Sequence, residues 1–331
     1  MLRVRSGQPC GPVLLWLRRV FVIPLAATIL GASAKSQQET LPTFRVEVDL
    51  VNILCTVRDS HGRFVTDLTK DDFIVTEDGI PQQIRYFSRE TDLPLTIGLL
   101  VDVSKSQENL IEVERHAAYR FLDRVLREKD LAFLLSFGVE AELLQDLTGS
   151  RRRLEAALAQ LRLNAAVGGI LPGPVPNPRP KGTVLYDAIY LASDEILRKE
   201  VGRKVIVVIT DGVDVGSVVS LDKALQAAHH ADSVIYGVYY ADPRYRLFGS
   251  GYGILKRLAE ETGGRVFRVG KVRDLDRIFD QIQQEVRSQY ALAYTPTRPL
   301  GDGGYRRLRV TTRRPGLTVQ ARKGYYAIKR D

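Results

Sequence analysis

Leu95-Thr96-Ile97-Gly98-Leu99-Leu100-Val101-Asp102-Val103-Ser104-Lys105-Ser106 is the stretch that decides the fold class. Its first part, to Val101, is an apolar run of strand length with no polar alternation. Such a run marks a strand buried on both faces, as in parallel sheets covered by helices. Asp102, Ser104 and Ser106 follow at once, at the strand's carboxyl end, where open α/β sheets bind ligands.

Working outward, helical and strand-like segments alternate. Residues 107–128 have helical period, and Leu131 to Phe137 read as a strand. Residues 150–162 and 183–199 read as helices, and Lys204 to Thr210 is a second strongly apolar strand. A helix over 220–231, a strand from Val234 to Tyr240, a helix over 253–262, a short strand from Val266 to Val269 and a helix over 272–288 complete the series. This alternation predicts a doubly wound, mostly parallel sheet, a Rossmann-like α/β fold.

The flanks differ. Phe44 to Leu50 alternates with period two, Val51 to Arg58 continues as a strand, and Phe73 to Glu77, the turn Asp78-Gly79 and Gln82 to Phe87 suggest a hairpin. After Gln289, strands are expected over Tyr290–Tyr294, Tyr305–Thr312 and Leu317–Ala321. Each flank alone buries too little apolar area for a stable sandwich. The expectation is one small β-sandwich built from both, residues 43–92 and 290–331, with the α/β domain, 93–289, inserted between them.

Asp102, Ser104 and Ser106 can turn three oxygens toward one point. Lys181-Gly182-Thr183 opens a helix after a Gly/Pro loop, and Ile209-Thr210-Asp211-Gly212 ends the second apolar strand on the same sheet edge. Carboxylates with hydroxyls suit Mg²⁺, Ca²⁺ or Mn²⁺ better than Zn²⁺. Helix capping is the structural alternative for each residue taken singly.

Together, D-x-S-x-S, then Thr183, then Asp211 resemble the metal-ion-dependent adhesion site (MIDAS) of the von Willebrand factor A domain, and the resemblance runs from Leu93 to Gln289. It implies that Ser104 and Ser106 ligate a divalent cation directly. Asp102, Thr183 and Asp211 would bind directly or through water, and the last coordination position would take an acidic side chain from a protein partner. The whole chain also resembles the exported VWFA-related domain family described from acidobacteria. That likeness rests on the leader, on Phe73-Ile74-Val75-Thr76-Glu77-Asp78-Gly79, on Gly182-Thr183-Val184-Leu185-Tyr186-Asp187-Ala188 and on Lys323-Gly324-Tyr325-Tyr326. It implies no defined biochemical activity. Two loops should rim the site: 164–182, with five Pro, and 242–253. Tyr245, Arg246, Phe248 and Tyr252 are the expected partner contacts, since Tyr and Arg are favoured at hot spots. A glycan is the other partner class. Asp187 reads as a helix-start residue and Asp214 as a loop group behind the site.

Residues 1–34 read as an export signal, with Arg3, Arg5, Arg18 and Arg19, the apolar run Val20–Leu30 and the small residues Gly31-Ala32-Ser33-Ala34. That run is short of the roughly 20 residues of a stable span, so no membrane span is expected after cleavage. Residues 35–42 read as a linker. The destination would be periplasm, cell surface or medium, with Sec export favoured over a weak twin-arginine match. Of 48 basic residues, four lie in the leader with no acid, which leaves 44 against 39 acidic. So mild an excess on an exported chain gives no reason to expect a nucleic-acid partner. Cleavage removes Cys10, so Cys55 has no disulfide partner and reads as a buried small hydrophobe.

No G-x-x-x-x-G-K-[ST], strand-linked G-x-G-x-x-G, H-E-x-x-H or G-x-S-x-G occurs, and His229 and His230 are neighbours pointing to different helix faces. A Mg²⁺-dependent phosphatase using Asp102 as nucleophile would want a second acid two residues on, where Ser104 stands. The expected function is therefore non-enzymatic binding of an adhesion type. The alternative is a metal-silent scaffold that binds through its loops or its sandwich.

Overall fold

The computed structural model describes residues 50–89, 94–104, 107, 111–162, 182–240 and 251–328. The expected leader, the linker and the opening strand from Phe44 lie outside the described residues, apart from Leu50, which is not in a strand.

Two strands without a single exposed residue form the centre, β5 (Leu95–Asp102) and β8 (Arg203–Thr210). Their side chains face helices on both sides, which is why neither alternates. They pair in parallel, Val101 opposite Ile209. Beside them run β6 (Leu131–Phe137) and β9 (Ser233–Tyr239), with β10 (Val266–Arg268) outside β9 and β7 (Ala141–Thr148) outside β6. The order is β10-β9-β8-β5-β6-β7, parallel except for antiparallel β7. The chain starts at β5, steps to β6 and later returns to β8 on the other side of β5. The crevice at a topological switch point therefore opens at the carboxyl ends of β5 and β8.

Helices α1 (Ile111–Val125), α2 (Arg151–Leu158) and α6 (Leu275–Arg287) cover one face. Helices α3 (Leu185–Tyr190), α4 (Leu221–His230) and α5 (Tyr252–Thr262) cover the other. The helix expected over 183–199 is less regular than its sequence suggests, since α3 passes into a π-helical turn over Leu191–Ile196 and a 3₁₀ turn over Leu197–Lys199.

Both flanks contribute to both sheets of a sandwich. One sheet has β1 (Val51–Arg58) and β4 (Ile84–Arg89) beside β11 (Tyr290–Tyr294) and β13 (Thr318–Ala321), in the order β13-β1-β11-β4. The other has β2 (Phe73–Glu77) and β3 (Ile80–Gln82) beside β12 (Tyr305–Thr312) and β14 (Gly324–Tyr326), in the order β14-β12-β2-β3. Ile53, Val57, Phe73, Val75, Tyr290, Tyr294 and Val310 share one core with Cys55, which is fully buried. Burial pushes the Cys55 thiol well above its usual range, so it is inert there. The hairpin differs from expectation. β2 turns through Asp78-Gly79 into the short β3, and after Gln83 the chain crosses to the other sheet as β4, which pairs with β11. Asp78 and Gly79 both adopt positive φ, the backbone of a tight two-residue turn between β2 and β3.

The α/β unit is fastened to the sandwich through Glu285 of α6. Its fully buried carboxylate accepts Arg58 of β1 at 2.5 Å, Arg265 at 2.7 Å and Gln320 of β13 at 2.7 Å. Among the described residues, no helix is long and apolar enough to cross a membrane.

Candidate cation site

Asp102 is the last residue of β5 and is wholly buried. Its two oxygens are held differently. Oδ1 accepts the Ser104 backbone N–H at 2.9 Å, and Oδ2 accepts the Thr210 hydroxyl at 2.6 Å. The first bond bends the chain sharply after β5, the turn that a short acidic side chain promotes. The second joins the ends of the two central strands, and Thr210 Oγ1 in turn accepts the Gly212 N–H at 3.0 Å. Asp211, one residue past β8, is partly exposed, with Oδ1 accepting the Val213 N–H at 3.0 Å.

Thr183 reaches the same edge by its backbone. Its carbonyl accepts the Val215 N–H at 2.8 Å, while the next residue, Val184, donates to the Gly138 carbonyl beyond β6 at 2.9 Å. Thr183 is thus fixed between the loops that follow β6 and β8. Gly182 makes this possible, because a Cβ there would lie 2.5 Å from the Val215 carbonyl oxygen. The structure therefore brings Asp102, Ser104, Thr183 and Asp211 to one sheet edge. Ser106 lies outside the described residues.

Asp102 and Asp211 repel each other. Burial first, and Asp211 second, push the Asp102 carboxyl up to about 7 against the lowering bonds from Ser104 and Thr210. Two carboxylates that repel each other at one sheet edge, with the Thr210 hydroxyl on one of them, fit a hard divalent cation, which would relieve the repulsion. Among the described residues no group of three His, Cys, Asp or Glu side chains is placed to hold a metal, so hydroxyls would have to supply the remaining donors. Two further residues bear on this edge that sequence reading did not single out. Thr210 was hidden in a β-branched strand. Glu114 of α1 is fully buried, and burial together with Asp102 holds its carboxyl well above the usual range. Its signal was a Glu on the apolar stripe of α1.

The neighbouring acids are structural. Asp187 accepts the backbone N–H groups of Val218 and Val219 at 3.0 and 2.8 Å, and Asp214 accepts that of Tyr186 at 3.1 Å. They lace the loop after β8 to the start of α3. Tyr245, Arg246 and Phe248, with the loop 163–181, lie outside the described residues. Tyr252 opens α5, its ring edge-on to Tyr239 at 5.2 Å and under the Arg268 guanidinium at 3.7 Å. The residue before it, Gly251, packs against Gly212, so the start of α5 abuts the Asp211 loop. His229 is buried against Glu261 and His230 is partly exposed, so the pair does not share a site.

The fold is a doubly wound α/β domain set in a β-sandwich, and the solved structures similar to it include a von Willebrand factor type A protein. Proximal thread matrix protein 1 from the mussel byssus matches at 16% identity and a TM-score of 0.48, over 64% of this chain and 51% of its own. The same mussel protein is known with a zinc-occupied MIDAS motif. The von Willebrand factor type A protein from Catenulispora acidiphila matches at 12% identity and a TM-score of 0.46, over 83% of this chain and 72% of its own. BatB from Bacteroides thetaiotaomicron matches at 18% identity and a TM-score of 0.41, over 59% and 100%. The match thus spans about half the length of the mussel protein. No protein-family model matches the chain, and no curated protein matches it by sequence. These likenesses concern the fold alone, and the chemistry of the site rests on this chain's own residues.

Proposed function

We propose that the protein is an exported, non-catalytic binding protein that engages a protein partner through a divalent cation, Mg²⁺ or else Ca²⁺ or Mn²⁺. Asp102, Ser104, Ser106, Thr183 and Asp211 hold the ion, and an Asp or Glu of the partner completes its shell. The observation that carries this reading is the convergence of the Asp102 and Asp211 carboxylates with the Ser104 and Thr183 segments at the switch point of the sheet. Hydroxyl and water donors are neutral, so wherever a site carboxylate binds through water the ion keeps positive charge that attracts a further carboxylate.

The test is thermal unfolding in EDTA and then in millimolar Mg²⁺, Ca²⁺ or Mn²⁺, beside Asp102→Ala. An ion at about 100 times its dissociation constant stabilises the native state by about 2.7 kcal/mol. A rise in the unfolding midpoint with an ion, absent in Asp102→Ala, is the expected result, and pulldown of partner protein should then be lost in EDTA. No rise with any ion would sink the reading.

A second reading has one observation in its favour. A cleft of about 940 Å³ lies on the outer face of the β12-β2 sheet, lined by Thr76, Tyr305, Arg307, Arg309 and Lys323 among others. If the sandwich is the binding surface, partner capture survives Asp102→Ala and is lost in Arg307→Ala with Arg309→Ala.

A further inference from the structure

Glu114 stands where the helical pattern calls for an apolar side chain. Ile111, Ala117, Ala118, Phe121 and Val125 of α1 pack in the core against the sheet, and Glu114 lies in the first turn of the same buried face. It is 0% exposed, and neither of its carboxylate oxygens has a hydrogen-bond partner. Buried polar groups are nearly always satisfied, so two orphaned acceptors on one side chain point to a missing donor. A Leu or Met would complete the stripe without that cost. Glu114 lies in the first turn of α1, the helix that follows the carboxyl end of β5, so it stands at the cation-site end of that helix, and Asp102 bears on its carboxyl.

We propose that Glu114 is a positioning residue of the cation site, accepting hydrogen bonds from cation-bound water on the side of Asp102 that faces α1. This rests on the reading that the site takes a divalent cation. Water polarised by such an ion is a strong donor, which is what the two lone acceptors lack, and groups in this outer position orient the ligands they back. The role adds no ligand to the ion itself, in keeping with the absence of any three-acid cluster placed to hold a metal among the described residues.

The experiment is calorimetric titration of the purified protein with Mn²⁺, with thermal unfolding in EDTA, for wild type, Glu114→Gln and Glu114→Met. Water-proton relaxation of the bound Mn²⁺ is read alongside. The expected result is a dissociation constant weakened 10- to 100-fold in both variants, with altered relaxation and an unfolding midpoint in EDTA at or above that of wild type. Glu114→Met keeps the test open if Glu114→Gln folds poorly, because it restores the apolar stripe. Variants that are more stable in EDTA yet bind Mn²⁺ with the wild-type constant and relaxation would overturn the proposal, leaving Glu114 a purely local strain. Wild-type protein that binds no Mn²⁺ would instead remove the cation reading on which it stands.

Discussion

His229 is held neutral by its surroundings. Its Nε2 faces the Glu261 carbonyl at 3.0 Å, and a carbonyl only accepts, so Nε2 carries the proton and Nδ1 has no partner. Burial, and then the Arg322 guanidinium, push its pKa down to about 4, against the pull of the Glu261 carbonyl and Asp232. The native state therefore binds fewer protons at His229 than the unfolded chain between pH 4 and 6.5. Stability from this group is present above pH 6.5 and is lost as pH falls to 4, by about 3 kcal/mol for a shift of this size. Denaturant unfolding across that range, wild type against His229→Gln, should show a shallower pH slope in the variant. Equal slopes would mean that His229 titrates freely. The same scale shows what the sequence can carry about the site. The placement of Asp102, Ser104 and Asp211 at one sheet edge was legible because each lies at or just past the end of an unmistakable strand. Thr210 and Glu114 were not, because a Thr in a β-branched strand and a Glu in an amphipathic helix look ordinary until their burial and partners are known.

Helix α6 joins the two halves of the protein through Glu285. This carboxylate is 0% exposed, while Arg58 and Arg265, its partners, are 22% and 32% exposed. Removing one member of such a group leaves buried charge without compensation, which is far costlier than replacing the whole set. Glu285→Gln should therefore lower unfolding stability by about 3 kcal/mol, read as a fall in denaturant midpoint at unchanged slope. A loss under about 0.5 kcal/mol would place the group among ordinary surface pairs. Elements with a strong pattern were readable in advance. The doubly buried β5 and β8 are examples, and so is α6, whose apolar positions recur at helical spacing. Strand β7 escaped notice because Ala141–Thr148 does not alternate cleanly, and its pairing with β6 slips register twice. The crossing of β4 escaped for another reason. Gln82 to Phe87 does read as a strand, but only the partners reveal that Gln82 ends β3 and Ile84 begins a strand of the other sheet.

At the scale of the whole molecule, the α/β segment runs between β4 and β11, and all eight strands of the two antiparallel sheets come from the flanks. Arg89, the last residue of β4, is paired directly with Tyr290, the first of β11. Cα atoms of directly opposed antiparallel residues stand only about 4.5 to 5.5 Å apart, so the chain leaves the sandwich and returns to it at adjacent points. A short turn can span that gap, and Asn-Gly is the preferred one between antiparallel strands. Residues 50–89 joined through Asn-Gly to 290–328 should then fold as β1 to β4 with β11 to β14, keeping the core of Ile53, Val57, Phe73, Val75, Tyr290 and Tyr294. The buried polar group of that core also stays intact, because Glu77 accepts Tyr294 at 2.5 Å, Tyr325 at 2.8 Å and Arg306 at 3.2 Å, all from within the sandwich. Without Glu285, Arg58 loses its buried partner but sits at the new surface, where water solvates it. The shortened protein should give a β-type circular dichroism spectrum and one cooperative thermal transition, at a lower temperature than the full protein. A chain that stays unfolded would show that the sandwich depends on the α/β unit for more than its connection, and that the anchorage at Glu285 is part of what lets the flanks pair.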